Sequence, residues 1–184
     1  MNRNNDSFRL NAKELREADP DVVGEQVLQI KRNPIYFILE NVYDTYNVGG
    51  IFRLADALAV ENMYLCGQME IPPNHKIKKA SIGTYKIVPW EYKKTAKEAI
   101  EELKQKNVRV YGVEQAENSK NFLETKYTFP CALLVGNETS GVTKETLDLC
   151  DEIVEIPMWG INKSLNVIVS AAIVGYEVIK QRHR

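Results

Sequence analysis

Cysteine is scarce in this chain: Cys66, Cys131 and Cys150 are its only three, far apart and in mostly apolar surroundings. An odd count with no Cys-x-x-Cys pair excludes a disulfide framework and the usual zinc spacings. The three read as reduced core thiols of a cytoplasmic protein. Histidine is scarcer still, with His75 in a loop and His183 in the tail. That leaves too few partners for a metal centre or a catalytic triad, so no metal is expected. No apolar run approaches the roughly 18 residues that cross a bilayer, so no membrane association is expected. The opening Met1-Asn2-Arg3-Asn4-Asn5-Asp6 is polar and lacks the apolar stretch of a secretory signal. Nucleotide fingerprints are missing too. Val48-Gly49-Gly50 has the spacing of neither Gly-x-x-x-x-Gly-Lys-[Ser/Thr] nor Gly-x-Gly-x-x-Gly. Nor does one sign of charge dominate: 24 Lys and Arg face 25 Asp and Glu, a net charge of −1.

What remains is an ordinary globular composition, 44% hydrophobic and 27% charged, in 184 residues, enough for one domain with a sizeable core. Charge is informative only locally. From Lys76 to Lys97 there are seven lysines and one acid, interleaved with Tyr85, Trp90 and Tyr92. From Glu138 to Glu155 there are six acids and one lysine. Lysines mixed with aromatics can hold phosphates and stack bases, or simply solvate a loop and a helix face.

Residues 1–33 are polar, with helices expected near Ala12–Ala18 and Val22–Ile30. Short apolar runs bounded by turn residues predict strands at Tyr36–Leu39, Asn62–Leu65, Tyr85–Val88, Val108–Val113, Cys131–Val135 and Ile153–Ile156. Helical spacing predicts helices over Gly49–Leu58 and Thr95–Lys106, a short one over Thr143–Leu149 capped by Thr143, and a last one over Ser164–Gln181 capped by Ser164. A loop is expected around Pro72 and Pro73. Strands alternating with helices give an α/β class with a mostly parallel sheet covered by helices on both faces. The last helix is apolar nearly all round, which places it deep in the core or in a subunit interface; an interface is the expectation.

The polar residues at element ends form three blocks. The first is Asn47-x-x-Gly50-x-x-Arg53-x-Ala55-Asp56-Ala57. The second is Leu134-Val135-Gly136-Asn137-Glu138-x-x-Gly141-Val142. The third is Ile156-Pro157-Met158-x-Gly160-x-x-x-Ser164-Leu165-Asn166-Val167. Taken singly, Asn47, Ser164 and Asn166 read as helix caps, Glu138 as charge compensation at a helix start, and Arg53 as a surface arginine. Taken in this order, the blocks resemble the TrmH-like branch of the SPOUT RNA methyltransferases, over about Ile35 to Lys180. Two positions depart mildly: Ile168 stands where relatives commonly have a small polar residue, and Trp159 is an unusual occupant of a variable position.

The resemblance implies a SPOUT domain over residues 35–184; the polar residues 1–34, with the helices expected there, form an extension before it. It implies a deep C-terminal trefoil knot and a homodimer through the final helix. The implied reaction is transfer of a methyl group from S-adenosyl-L-methionine to a ribose 2′-hydroxyl of tRNA or rRNA. It assigns cofactor binding to Leu134, Val135, Gly136, Asn137, Glu138, Gly141, Ile156, Pro157, Met158, Ser164, Leu165 and Asn166. It assigns catalysis to Arg53, Asn47, Glu138, Ser164 and Asn166. A guanidinium ordinarily has a pKa above about 12 and no acceptor site when charged. Arg53 therefore stands either as an assisted base or as a charge that stabilises the developing alkoxide. Lys76, Lys78, Lys79 and Lys86, with Arg3, Arg9, Lys31 and Arg32, are the expected RNA surface. Two other readings remain: a non-catalytic RNA-binding or assembly factor that keeps the fold, and a base-methylating SPOUT enzyme. The intact Asn47–Arg53 block speaks against both.

Overall fold

The computed structural model describes residues 9–17, 27 and 29–183. Seven strands form one sheet: β1 (Asn33–Glu40), β2 (Val60–Cys66), β3 (Trp90–Lys93), β4 (Arg109–Val113), β5 (Lys120–Asn121), β6 (Cys131–Val135) and β7 (Glu152–Glu155). Their order is β3-β2-β1-β6-β4-β7-β5, and every neighbouring pair is parallel. The helices are α1 (Ala12–Glu17), α2 (Thr45–Ala57), α3 (His75–Ser81), α4 (Ala96–Gln105), α5 (Lys144–Leu147) and α6 (Val167–Arg182).

Side chains alternate across the sheet and so build two cores. Ile35, Phe37 and Leu39 of β1 face the side packed by α2 and α6, together with Ile51, Phe52, Ala171 and Val174. Ile38 faces the opposite side, with Tyr64, Ala132, Leu134 and the apolar stripe Ala96, Ala99, Ile100 and Leu103 of α4. β6, between β1 and β4, is buried at all five positions, as expected of a strand covered on both faces. α2 also packs on α3. A Cβ on Gly49 would sit 2.5 Å from Ala80 Cβ and 2.9 Å from the Ser81 nitrogen, so only glycine allows this approach. The three cysteines are free, and burial pushes each thiol up to about 12.

Several expectations need correction. Tyr85–Val88 is not a strand. The chain leaves α3 through Ile82 and Gly83, both at positive φ, and makes a 3-10 turn at Thr84–Lys86; the strand comes later, as β3. The segment after Pro72-Pro73 is not all loop, because Asn74 caps α3 by accepting from the N–H groups of Lys76 and Ile77. α6 starts at Val167 rather than Ser164. Its cap is Asn166, whose Oδ1 accepts from Ile168 N at 2.9 Å. Thr143 does stand at the N-cap position of α5, but its hydroxyl donates to Glu40 and accepts from no helix N–H. β5 was not anticipated. Most of the helix expected over Val22–Ile30 lies outside the described residues, as does Arg3.

α6 buries Val167, Ala171, Val174 and Val178 yet leaves Val169 and Tyr176 exposed. Among the described residues no helix is long and apolar enough to cross a membrane.

Candidate active site

The carboxyl ends of β6, β4 and β7 open onto a cleft of about 650 Å³. Crevices at this edge of a parallel sheet are where ligands bind in open α/β folds. One wall is the loop after β6. Asn137 and Gly141 pair there as a tight bridge, with N···O distances of 3.0 and 2.9 Å in the two directions. Asn137 Oδ1 accepts from Thr139 N and Ser140 N, and its Nδ2 donates to the carbonyl of Asn41 at 3.0 Å. A Cβ on Gly136 would lie 2.3 Å from backbone atoms of Gly141 and Val142, so the loop closes only over glycine. Behind it, buried Glu40 accepts from Thr143 N, Thr143 Oγ1 and Thr146 Oγ1, which anchors α5. The opposite wall is the segment from Ile156 to α6, tied across by Gln115 Nε2 donating to the Lys163 carbonyl at 2.7 Å.

At the lip of the cleft three motif residues join in a chain of hydrogen bonds. Asn166 Nδ2 donates to Asn47 Oδ1 at 3.0 Å, and Asn47 Nδ2 donates to Glu138 Oε1 at 2.9 Å. Glu138 also accepts from Tyr43 N at 3.2 Å and Asp44 N at 3.1 Å. Burial alone would raise the Glu138 carboxyl. The hydrogen bonds from Asn47 and from backbone N–H groups outweigh it and hold the group below the usual carboxylate range. Asn47 is not the cap it was expected to be. Asp44 caps α2, accepting from Tyr46 N at 2.8 Å, which leaves the Asn47 amide, 5% exposed, for the relay.

The cleft is lined by Val135, Gly136, Asn137, Glu138, Gly141, Ile156, Met158, Ser164, Leu165 and Asn166 of the expected cofactor set. Leu134 does not reach it: strand alternation points this fully buried side chain into the core beneath α4. Pro157 is not among the lining residues either. Arg53 lies outside the lining too, exposed on α2, with no hydrogen bond or ion pair among the described residues. It is one turn beyond Gly50, where a Cβ would come within 2.4 Å of Ile168 at the start of α6. Asn47 and Arg53 thus flank the point where the two helices meet. Val113, Glu114, Gln115 and Lys163 also line the cleft and were not foreseen from the sequence. The position of the first three at the end of β4 was the available signal.

The basic stretch divides. Lys76, Lys78 and Lys79 are exposed on α3, and Lys86 is half-buried with Nζ 3.5 Å from the Arg16 carbonyl. Lys93 pairs with Glu91 and Glu102, and Lys97 with Glu101. Arg32 is not a free surface cation, because its guanidinium donates to the carbonyls of Val60 and Ile87 at 3.0 and 2.8 Å. Trp90 packs edge-on against Phe52 with ring centroids 6.2 Å apart.

Residues 34–176 match the model of a family described as the SpoU rRNA Methylase family. The chain is 34% identical over 158 residues to a tRNA (guanosine(18)-2′-O)-methyltransferase of Thermus thermophilus, covering 86% of this chain and 80% of that one. It is 33% identical over 172 residues to the 23S rRNA (guanosine-2′-O-)-methyltransferase RlmB of Pasteurella multocida, covering 93% and 68%. Among solved structures, the SpoU methyltransferase AviRb of Streptomyces viridochromogenes in complex with AdoMet superposes with a TM-score of 0.76 at 25% identity. That match covers 84% of this chain and 63% of AviRb.

Proposed function

The chain belongs to the SpoU methylase family, and from that premise we propose that it is an S-adenosylmethionine-dependent RNA methyltransferase acting on a ribose 2′-hydroxyl of tRNA or rRNA. The observation that carries the proposal is the Asn166–Asn47–Glu138 relay at the lip of the cleft. It draws one residue from each of the three motif blocks into a single hydrogen-bonded unit beside a ligand-sized space.

The cleft fits the cofactor. About 650 Å³ lies within the usual range for small-molecule sites. Apolar Val135, Ile156, Met158 and Leu165 suit an adenine and a methionine chain, and the Gly136–Gly141 loop and Ser164 offer polar groups between them. When bound, S-adenosylmethionine supplies an electrophilic methyl carbon on a sulfonium. The chain's own residues then orient the acceptor. Glu138, ionised and fixed by N–H donors from Tyr43, Asp44 and Asn47, holds the Asn47 amide in one orientation, and that amide in turn fixes Asn166. Ser164 and Asn166 face the cleft and position the attacking hydroxyl, so much of the rate enhancement is positional. As the hydroxyl gives up its proton to water, Arg53, exposed and unpaired among the described residues, stabilises the developing alkoxide and the neighbouring phosphate.

The wider architecture follows the same reading. Residues 35–184 form the catalytic domain and 1–34 an extension. β7 lies between the earlier strands β4 and β5, and the chain then crosses back to meet α2 at Gly50, which supports a threaded, knotted C-terminal segment. The exposed Val169 and Tyr176 support a homodimer through α6. The lysines of α3 form the RNA surface, and the protein works in the cytoplasm. The test is chemical: RNA methylated by the protein is digested with alkali. A label that survives in an uncleaved dinucleotide marks 2′-O-methylation. A label released in mononucleotides marks base methylation and overturns the proposal.

A further inference from the structure

Glu114 is the second acid lining the cleft, and the relay does not use it. It is half-buried at the carboxyl end of β4. Its two oxygens are held separately: Oε1 accepts from Gln115 N at 2.9 Å and Oε2 from Val142 N at 3.0 Å. The loop opposite is shaped around it. A Cβ on Gly141, which sits at φ +67°, would fall 2.2 Å from Glu114 Oε2. Each carboxylate oxygen can accept more than one hydrogen bond, so a rigidly placed pair of acceptors remains for a ligand.

The sheet order says which part of a ligand meets it. The relay belongs to the β1 and β6 side of the cleft, through Asn47 and Glu138. Glu114 follows β4, the next strand over, about 4.8 Å further along the sheet. In S-adenosylmethionine the ribose is joined to the sulfonium through a single carbon. With the sulfonium beside the relay, the ribose falls towards β4 and its two vicinal hydroxyls are the nearest paired donors. Carboxylates near strand ends solve the same recognition problem for ribose in dinucleotide-binding sheets. We propose that Glu114, fixed between the Gln115 and Val142 N–H groups directly after β4, accepts hydrogen bonds from the vicinal diol of the cofactor's ribose and so selects a ribonucleoside cofactor. This rests on the methyltransferase reading and names the recognition that the same cleft performs.

The experiment is a calorimetric cycle with S-adenosylhomocysteine and its 2′-deoxyribose analogue against the wild type, Glu114→Ala and Glu114→Gln. Losing a hydrogen bond to a charged group is expected to weaken wild-type binding of the deoxy ligand about 10-fold or more. That preference falls towards 1 in both variants. Glu114→Gln keeps an oxygen for the Val142 N–H, so it carries the test if Glu114→Ala fails to fold. Two results overturn the inference: no preference in the wild type, or a preference undiminished in the variants, including the equal weakening of both ligands that marks a carboxylate that only clips the loop. Binding of neither ligand by the wild type overturns the methyltransferase reading itself.

Discussion

Asn166 donates to Asn47 at 3.0 Å although 119 residues of chain separate them. Asn47 is 5% exposed and spends both ends of its amide, accepting from Asn166 and donating to Glu138. One side chain thereby sets the separation of α2, the β6 loop and the start of α6.

Removing that amide leaves Glu138 and Asn166 each short of a partner. Asn47→Ala is expected to lower stability by about 1–3 kcal/mol, the range for unsatisfied buried polar groups, as read from the urea midpoint. Methyl transfer falls further than stability explains. Asn47→Asp keeps the shape but sets a second carboxylate against Glu138, and its residual activity is expected to rise as pH is lowered. A flat pH profile would argue that the contact with Glu138 is incidental.

Glu138 gives a pH signature of its own. Its folded-state carboxyl lies below the usual range, so it contributes stability above its unfolded pKa of about 4.3 and loses it as pH falls through the lower folded value. Wild type is expected to exceed Glu138→Gln in stability at neutral pH, with the difference closing in acid below that unfolded value. Chemical denaturation at a series of pH values reads it. A gap that persists unchanged into acid would contradict the depressed carboxyl.

At Gly136 an added methyl meets backbone rather than a movable side chain. Gly136→Ala is expected to destabilise by about 1–3 kcal/mol, as overpacking does, and to weaken cofactor binding because the rebuilt loop forms a cleft wall. Calorimetry with S-adenosylhomocysteine checks the second effect, and undiminished affinity would remove this loop from the cofactor site.

Reversing Lys78 and Lys79 to Glu is expected to weaken RNA binding and flatten its salt dependence, by a slope of about 0.7–0.9 for each phosphate no longer neutralised. Both side chains are exposed on α3, so stability should change little. Affinities measured at several salt concentrations decide, and unchanged values at all of them would move the RNA surface elsewhere.

The sheet was largely legible in the chain because its central strands are buried on both faces. Cys131–Val135 stands out as an uninterrupted apolar run and is a strand over that whole span. α3 was hidden because only Ile77 and Ser81 of its seven residues are buried, and the close approach at Gly49 that supports it is a tertiary fact. The start of α6 is ambiguous in the sequence because Ser164 and Asn166 are equally good caps by composition. What decides is that the segment before Val167 lines the cleft. The motif residues could be named, but their joining could not: Asn47 reaches Glu138 across 91 residues, and no spacing rule extends so far. Leu134 belongs to the same apolar run as cleft-lining Val135, but strand alternation turns it the other way.

Arg53 provides the most direct measurement. Exposed and unpaired among the described residues, it can be replaced with little effect on stability, so its removal reports chemistry. Label transfer from S-adenosylmethionine into total tRNA and total rRNA would be compared for wild type, Arg53→Lys and Arg53→Ala. The expected result is alkali-resistant label in one RNA pool from the wild type. Arg53→Ala should fall about 100-fold or more, the scale of losing a transition-state donor, with part of the rate kept by Arg53→Lys as a stabilising charge requires. Wild-type label undiminished in Arg53→Ala, or no label in either pool from a protein that binds S-adenosylhomocysteine, would contradict it.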